Sequence, residues 1–274
     1  MTIWKVVIID EAWRSRIMIY ARPTEHLTGI TFEGTFDDFD ETVDSIYRMT
    51  GLEEDYNDRY WAVKNRLLGV CYDIRHAYMG DRNVLLKDNG MDDEKMKWHS
   101  IITPKQNVYY SVEILFPEAV FVALSVPDMY IYSRHYYGEM GKRLQTEDFR
   151  ANAYTEFWKD KAILDLLSAA ILQALAAVIG DEELEKLLRF RNNRYEEVFA
   201  GYVTHYLDKC NIEYIKTAPE KRKDKLRNIA KRLVQKPAAY ENMKWDLEQS
   251  ARQYHCSIYE LRDPRHEYPE EIVW

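Results

Sequence analysis

A chain of 274 residues that is 46% hydrophobic and 31% charged carries enough apolar side chains for a sizeable core, which excludes a disordered polymer. Its net charge of −8 argues against a protein built mainly to coat nucleic acid. Three cysteines, at positions 71, 210 and 256, are odd in number and widely spaced, so they fit reduced thiols in a cytoplasm rather than a disulfide framework.

The N-terminal run MTIWKVVIIDEAWRSR lacks a small-residue cleavage site and reads as a strand, not a signal peptide. Residues 3–9 (IWKVVII) and 16–21 (RIMIYA) are β-branched, apolar runs of strand length. A third run, 29–35, alternates Ile30 and Phe32 with Thr31 and Glu33, the pattern of a half-buried strand. DDFDETVDSIYRMTG then predicts a helix with acids in its first turn, ending at Gly51. Asp37, Asp38, Asp40 and Glu41 lack the glycine and ligand rhythm of a calcium loop, so they are read as helix-start residues.

A second helix is expected over 57–79, then a strand at 83–88 closed by the turn pair Asn89-Gly90. MDDEKMKWH suggests a brief helix. NVYYSVEILF and AVFVALSV, flanking Pro117-Glu118, read as two strands joined by a tight turn. From Pro127 onward the period becomes helical. Residues 156–179 are apolar almost all round, interrupted by Asp165, Ser168 and Gln173, which favours a buried helix over a membrane span. Asp181 is expected to cap one long helix running to Cys210. Residues 219–236 carry eight Lys/Arg against two acids, with an apolar stripe of Leu226, Ile229, Ala230 and Leu233. A last helix, 238–254, precedes a Tyr-rich tail. The expected fold is α+β, a mixed and largely antiparallel sheet layer packed against a helical C-terminal half. The regions are 1–140 (α+β) and 141–274 (all-helical), joined in one unit.

The 57–79 helix holds the densest chemistry. At 100° per residue, Tyr60, Val63, Leu67, Val70, Cys71, Ile74 and Tyr78 share one apolar arc, and Trp61, Leu68, Tyr72 and Met79 a second. Between them lie Arg59, Asn65, Arg66, Gly69, Asp73 and His76. Packing on both arcs leaves this polar strip facing a crevice. Asp73 and His76, three residues apart, are within reach of each other on a helix, and Arg66 lies two turns back. One reading makes His76 an acid or base oriented by Asp73, with Arg66 and Arg82 holding an anion, as phosphodiester or nucleotide hydrolysis needs. The other is a salt-bridged seam in which Asp73 pairs with Arg66 or Arg75 and His76 bonds a carbonyl.

The string GVCYDIRHAYMGDR, followed by DNGM and ILFPEAVFVALSV, resembles an uncharacterised bacterial family of unknown function over about Thr24 to Leu188. The resemblance carries over no catalytic residue. It implies a bacterial cytoplasmic protein, with mobile elements or phage defence as a setting. The basic 219–236 segment offers Lys221, Arg222, Lys225, Lys231 and Arg232, with Arg82 elsewhere, as phosphate or nucleic-acid contacts. Docking onto an acidic patch of the same protein is equally natural for such a helix. His205, Cys210, His255 and Cys256 lack the compact pairing of a zinc site, and no G-x-S-x-G or phosphate loop occurs, so no metal and no cofactor is expected. The leading expectation is therefore a non-enzymatic interaction or regulatory protein with a protein partner or homodimer, outside membranes. The alternative is the hydrolase using Asp73, His76 and Arg66.

Overall fold

The computed structural model describes residues 19–51, 59–143, 147–193, 197–262 and 267–274. Four strands form one antiparallel sheet in the order β1-β2-β4-β3: β1 (Tyr20–Pro23), β2 (Gly29–Gly34), β3 (Asn83–Asp88) and β4 (Gln106–Leu115). The expected 3–9 strand lies outside the described residues, and of 16–21 the described part joins β1 from Tyr20. The fold is α+β, with the sheet in the N-terminal region and helices forming the C-terminal half.

β2 is buried along its whole length rather than on one face. The reason is visible at its ends. A Cβ on Gly29 would fall 2.1 Å from the Ile114 carbonyl oxygen of β4 and 2.9 Å from the Trp274 ring, so only glycine admits that approach. The Thr28 hydroxyl donates to the Val273 carbonyl, which fastens the C-terminal tail beside the strand.

α1 (Phe36–Thr50) starts where its acids predict. Thr35 accepts from the Asp38 N–H, and the Asp38 carboxylate accepts from the Thr35 N–H at 3.0 Å, a reciprocal cap. α2 (Trp61–His76) packs beside α1 through the first apolar arc, where Val63, Leu67, Val70, Cys71 and Ile74 are buried. Its second arc is only partly covered: Tyr72 and Met79 are exposed. A wide π-type turn, Ala77–Asp81, ends the helix at Gly80, whose φ of +91° a side chain would oppose.

After β3 comes α3 (Asp93–His99), then β4, and then a correction. AVFVALSV is not a strand. It lies inside α4 (Phe116–Arg143), where Ala119 to Val126 are all buried. A helix enclosed on every side needs no polar face, so its apolar run has no period to betray it. Pro117 sits in its first turn, a place suited to proline.

α5 (Glu147–Ile179) packs along α4 and also touches α1 and β1. Its 155–179 stretch is long and apolar enough to cross a membrane by composition, and half of its most apolar window is buried inside the protein. The single helix expected over 181–210 is two: α6 (Asp181–Asn192) and α7 (His205–Ile215), with Gly180 rather than Asp181 at the cap position. The interruption has a tertiary cause. The N–H groups of Phe199, Gly201 and Val203 donate to the Asp128 carboxylate (2.6 Å), the Arg59 carbonyl (2.6 Å) and the Tyr240 hydroxyl (3.2 Å), so they cannot continue a helix ladder. α8 (Arg222–Gln235) buries Leu226, Ile229, Ala230 and Leu233 as its stripe predicts, and α9 (Ala238–Tyr254) follows.

Candidate binding crevice

The polar strip of α2 faces a crevice with two adjoining lobes. The larger, about 900 Å³, runs from Trp61 and Asn65 past Arg66 to α7 and the tail. The smaller, about 520 Å³, continues past Asp73 and Arg82 along β4 to Trp274. Gly69, Glu118 and Tyr268 border both. Gly69 lies between Arg66 and Asp73 on the strip and faces open space, with nothing within 4 Å of where a Cβ would stand.

Arg66 is the hub. Its Nη2 donates to Asp208 at 2.7 Å and to the Thr204 carbonyl at 3.2 Å, and its Nη1 to Glu118 at 3.4 Å. Glu118, in the first turn of α4, also accepts from Asn211 Nδ2 at 2.8 Å. The same Nδ2 donates to the Tyr268 hydroxyl at 3.0 Å, and that hydroxyl donates to Asp208 at 2.9 Å. Burial pushes the Glu118 carboxyl above its ordinary range, against the pull of Arg66 and Asn211.

Two acceptors in this wall have no donor. Asn211 is 1% exposed and its Oδ1 has no partner; the orientation of the amide is fixed because its NH₂ meets a carboxylate. His205 donates from Nε2 to the Leu261 carbonyl at 2.9 Å, and in the neutral ring this leaves buried Nδ1, which has no partner, as an acceptor. Asn211 lines the smaller lobe and His205 the larger. Trp61 and Tyr259, with ring centroids 4.2 Å apart, add an aromatic wall.

The three residues of the hydrolase alternative are distributed rather than clustered. Arg66 borders the larger lobe and Asp73 the smaller, while His76 borders neither. Asp73 is paired with Arg82 at 3.4 Å, and burial raises its pKa against the attraction of Arg82 and His76. His76 bonds Asp81 at 2.7 Å through Nδ1 and stacks on Tyr72 at 4.2 Å. These partners differ from the expected seam, in which Asp73 would hold Arg66 or Arg75. Arg75 instead reaches the Tyr47 hydroxyl on α1. The π-type turn explains the change: it swings Asp81 and Arg82 back over the end of α2.

The basic helix is largely committed to the protein's own oxygens. Arg222 is buried and donates to the Thr217, His26 and Ile215 carbonyls and the Thr28 hydroxyl. Lys225 and Arg232 share Glu213, and Lys231 takes Glu183. Lys221 is exposed in the turn before α8. Burial pushes the thiols of Cys71 up to about 12 and Cys210 up to about 11, which leaves neither as a nucleophile. Among the described residues, no group of three or more His, Cys, Asp or Glu is placed to hold a metal ion.

Sequence reasoning missed Glu118, Asp208, Asn211 and Tyr268. Asp208 and Asn211 lie three apart among the buried tyrosines 206 and 214, and that polar pair on an aromatic face was a readable signal. The chain belongs to a family described as a domain of unknown function, DUF6904, whose model matches residues 19–274. No curated protein and no solved structure matches it.

Proposed function

We propose that this member of the DUF6904 family is a non-enzymatic binding protein whose crevice takes a small ligand rich in hydrogen-bond donors, such as an amine or amide. The observation that carries this reading is the pair of buried, unpartnered atoms on α7, Asn211 Oδ1 and His205 Nδ1, in residues that line one lobe each. A buried polar atom without a partner costs about 1–3 kcal/mol, and a ligand N–H or O–H that reaches it returns that cost as affinity. The surrounding charge agrees. Arg66 is already paired with Asp208 and Glu118, so it offers an anion little, and with Glu267 and Arg262 also on the wall the larger lobe has no excess of positive charge. The setting that fits is the cytoplasm of a bacterium, where occupancy of the crevice regulates a partner protein.

Thermal melting of the full chain against a panel of small amines, amides, carboxylates and nucleotides tests this. A donor-rich ligand at a hundred times its dissociation constant adds about 2.7 kcal/mol and raises the melting temperature by roughly 5–10 °C. Asn211→Leu removes that shift while costing about 1–2 kcal/mol of intrinsic stability. If phosphate esters alone stabilise the protein, and Asp73→Asn or His76→Ala cancels their effect, the phosphodiester-directed reading through Arg66, Asp73 and His76 takes its place.

A further inference from the structure

β3, the strand NVLLKD, sends Val84 and Leu86 to one face of the sheet and Leu85 and Lys87 to the other. Across the ladder Val84 meets Tyr110 and Leu86 meets Val108. Further along β4, the same face carries Val112 and Ile114 opposite Phe32 and Ile30, all buried. Val84, Leu86 and Val108 thus continue the core face of the sheet, yet all three are exposed. In the connection between β3 and β4, Trp98 is 85% and Ile102 100% exposed.

The outer edge of β3 has no partner strand among the described residues. Edges of this kind are usually blunted by a lysine held out into solvent. Lys87 does not serve in that way. It is folded onto Glu33 and sits 4.8 Å from the centre of the Tyr109 ring. Val84, Leu86 and Val108 on the strands, with Trp98, Ile101 and Ile102 in the connection, leave an exposed apolar surface beside this edge.

We infer that β3 pairs antiparallel with β3 of a second copy about a two-fold axis at Leu85, joining the two sheets into one of eight strands. Two-fold symmetry allows only registers in which facing residues are an even number apart, so that both copies turn the same face the same way. Centred on Leu85, the register places Val84 opposite the partner's Leu86, and Arg82, whose Nη2 also reaches Asp73 at 3.4 Å, opposite the partner's Asp88, whose Oδ1 also accepts from the Gly90 N–H. Each pairing occurs twice. Moving the centre to Val84 sets Leu86 against the partner's Arg82, and moving it to Leu86 sets Val84 against the partner's Asp88. Apolar pairs and opposite charges directly across a ladder stabilise it, so the Leu85 register is selected. Arg82 is suited to the role because its backbone is already extended, at φ −129° and ψ −157°.

Sedimentation equilibrium of the full chain, with single and double charge reversals, tests both the dimer and its register. The wild-type chain sediments at twice the chain mass. Arg82→Asp and Asp88→Arg each place like charges together at two symmetric points and weaken association by roughly a hundredfold. The double variant, with both reversals, restores the opposite pairs and recovers association to within about tenfold of wild type. Circular dichroism of each variant separates loss of association from loss of folding. A wild-type chain that stays monomeric up to its solubility limit overturns the inference. So does a folded double variant that dissociates as readily as the singles, or a dimer indifferent to either reversal.

Discussion

Asp160 and Glu118 are both carboxylates held against an arginine inside the protein, and their surroundings end in opposite conditions. Asp160, on α5, is fully buried and receives four donors: the Ser45 hydroxyl at 2.9 Å, Arg48 Nε and Nη2 at 2.8 Å each, and the Tyr137 hydroxyl. The cluster ties α1, α4 and α5 together and lines neither lobe of the crevice. Glu118 receives Arg66 and Asn211 on the same oxygen, and the amide that serves it keeps a buried, unpaired acceptor in a residue that lines the smaller lobe. The same residue types make a rivet where every donor and acceptor is matched, and a site where some are not.

The largest effect expected from breaking this contrast is at the rivet. Asp160→Ala leaves Arg48, Ser45 and Tyr137 facing each other without their acceptor, and lowers stability by about 3–5 kcal/mol in urea denaturation. Arg48 keeps its existing contact with Asp44, 3.5 Å away at the surface, which recovers little. A loss under about 1 kcal/mol would show that α1, α4 and α5 are held by apolar packing alone. At the crevice, Glu118→Gln has a smaller effect with a definite pH dependence. Burial raises the folded carboxyl above its ordinary value of 4.5, so between those two values the folded protein binds more protons than the unfolded chain. Stability supplied by this group is therefore complete below the ordinary value and is lost as pH rises through the raised one. Glutamine resembles the protonated acid, so the variant lies within about 0.5 kcal/mol of wild type at acid pH. Denaturation curves across the window should then move in favour of the variant as pH increases. A difference that moves toward wild type would mean that Arg66, not burial, governs Glu118.

Much of this fold was legible because local spacing fixed it. The carboxylates in the first turn of α1, the first apolar arc of α2 and the buried stripe of α8 all follow from periodicity and caps. Legibility failed where a distant partner decided the outcome. The break between α6 and α7 depends on Asp128, Arg59 and Tyr240 claiming three backbone N–H groups. α4 looked like a strand because its enclosure erased the polar face that marks a helix. The site divided along the same line. The polar strip of α2 was visible at 3.6-residue spacing, whereas Glu118 and Asp208 reach Arg66 from 52 and 142 residues away. No pattern within a single helix encodes that.

His76 gives the sharpest small test of the contrast, because it lies on the same strip as Arg66 and belongs to neither cluster. Its bond to Asp81 joins the end of α2 to a turn in which Asp81 is exposed, and its ring rests on an exposed Tyr72. An exposed pair of this kind contributes about 0–1 kcal/mol. His76→Ala is thus expected to cost no more than about 1 kcal/mol in urea denaturation and to leave the melting shift produced by a crevice ligand intact. Loss of several kcal/mol would instead show that the π-type turn depends on the ring to hold Asp81 and Arg82 over the smaller lobe. Loss of the ligand shift with stability preserved would move the centre of the site from α7 to the end of α2, where Asp73 pairs with Arg82 and His76 with Asp81.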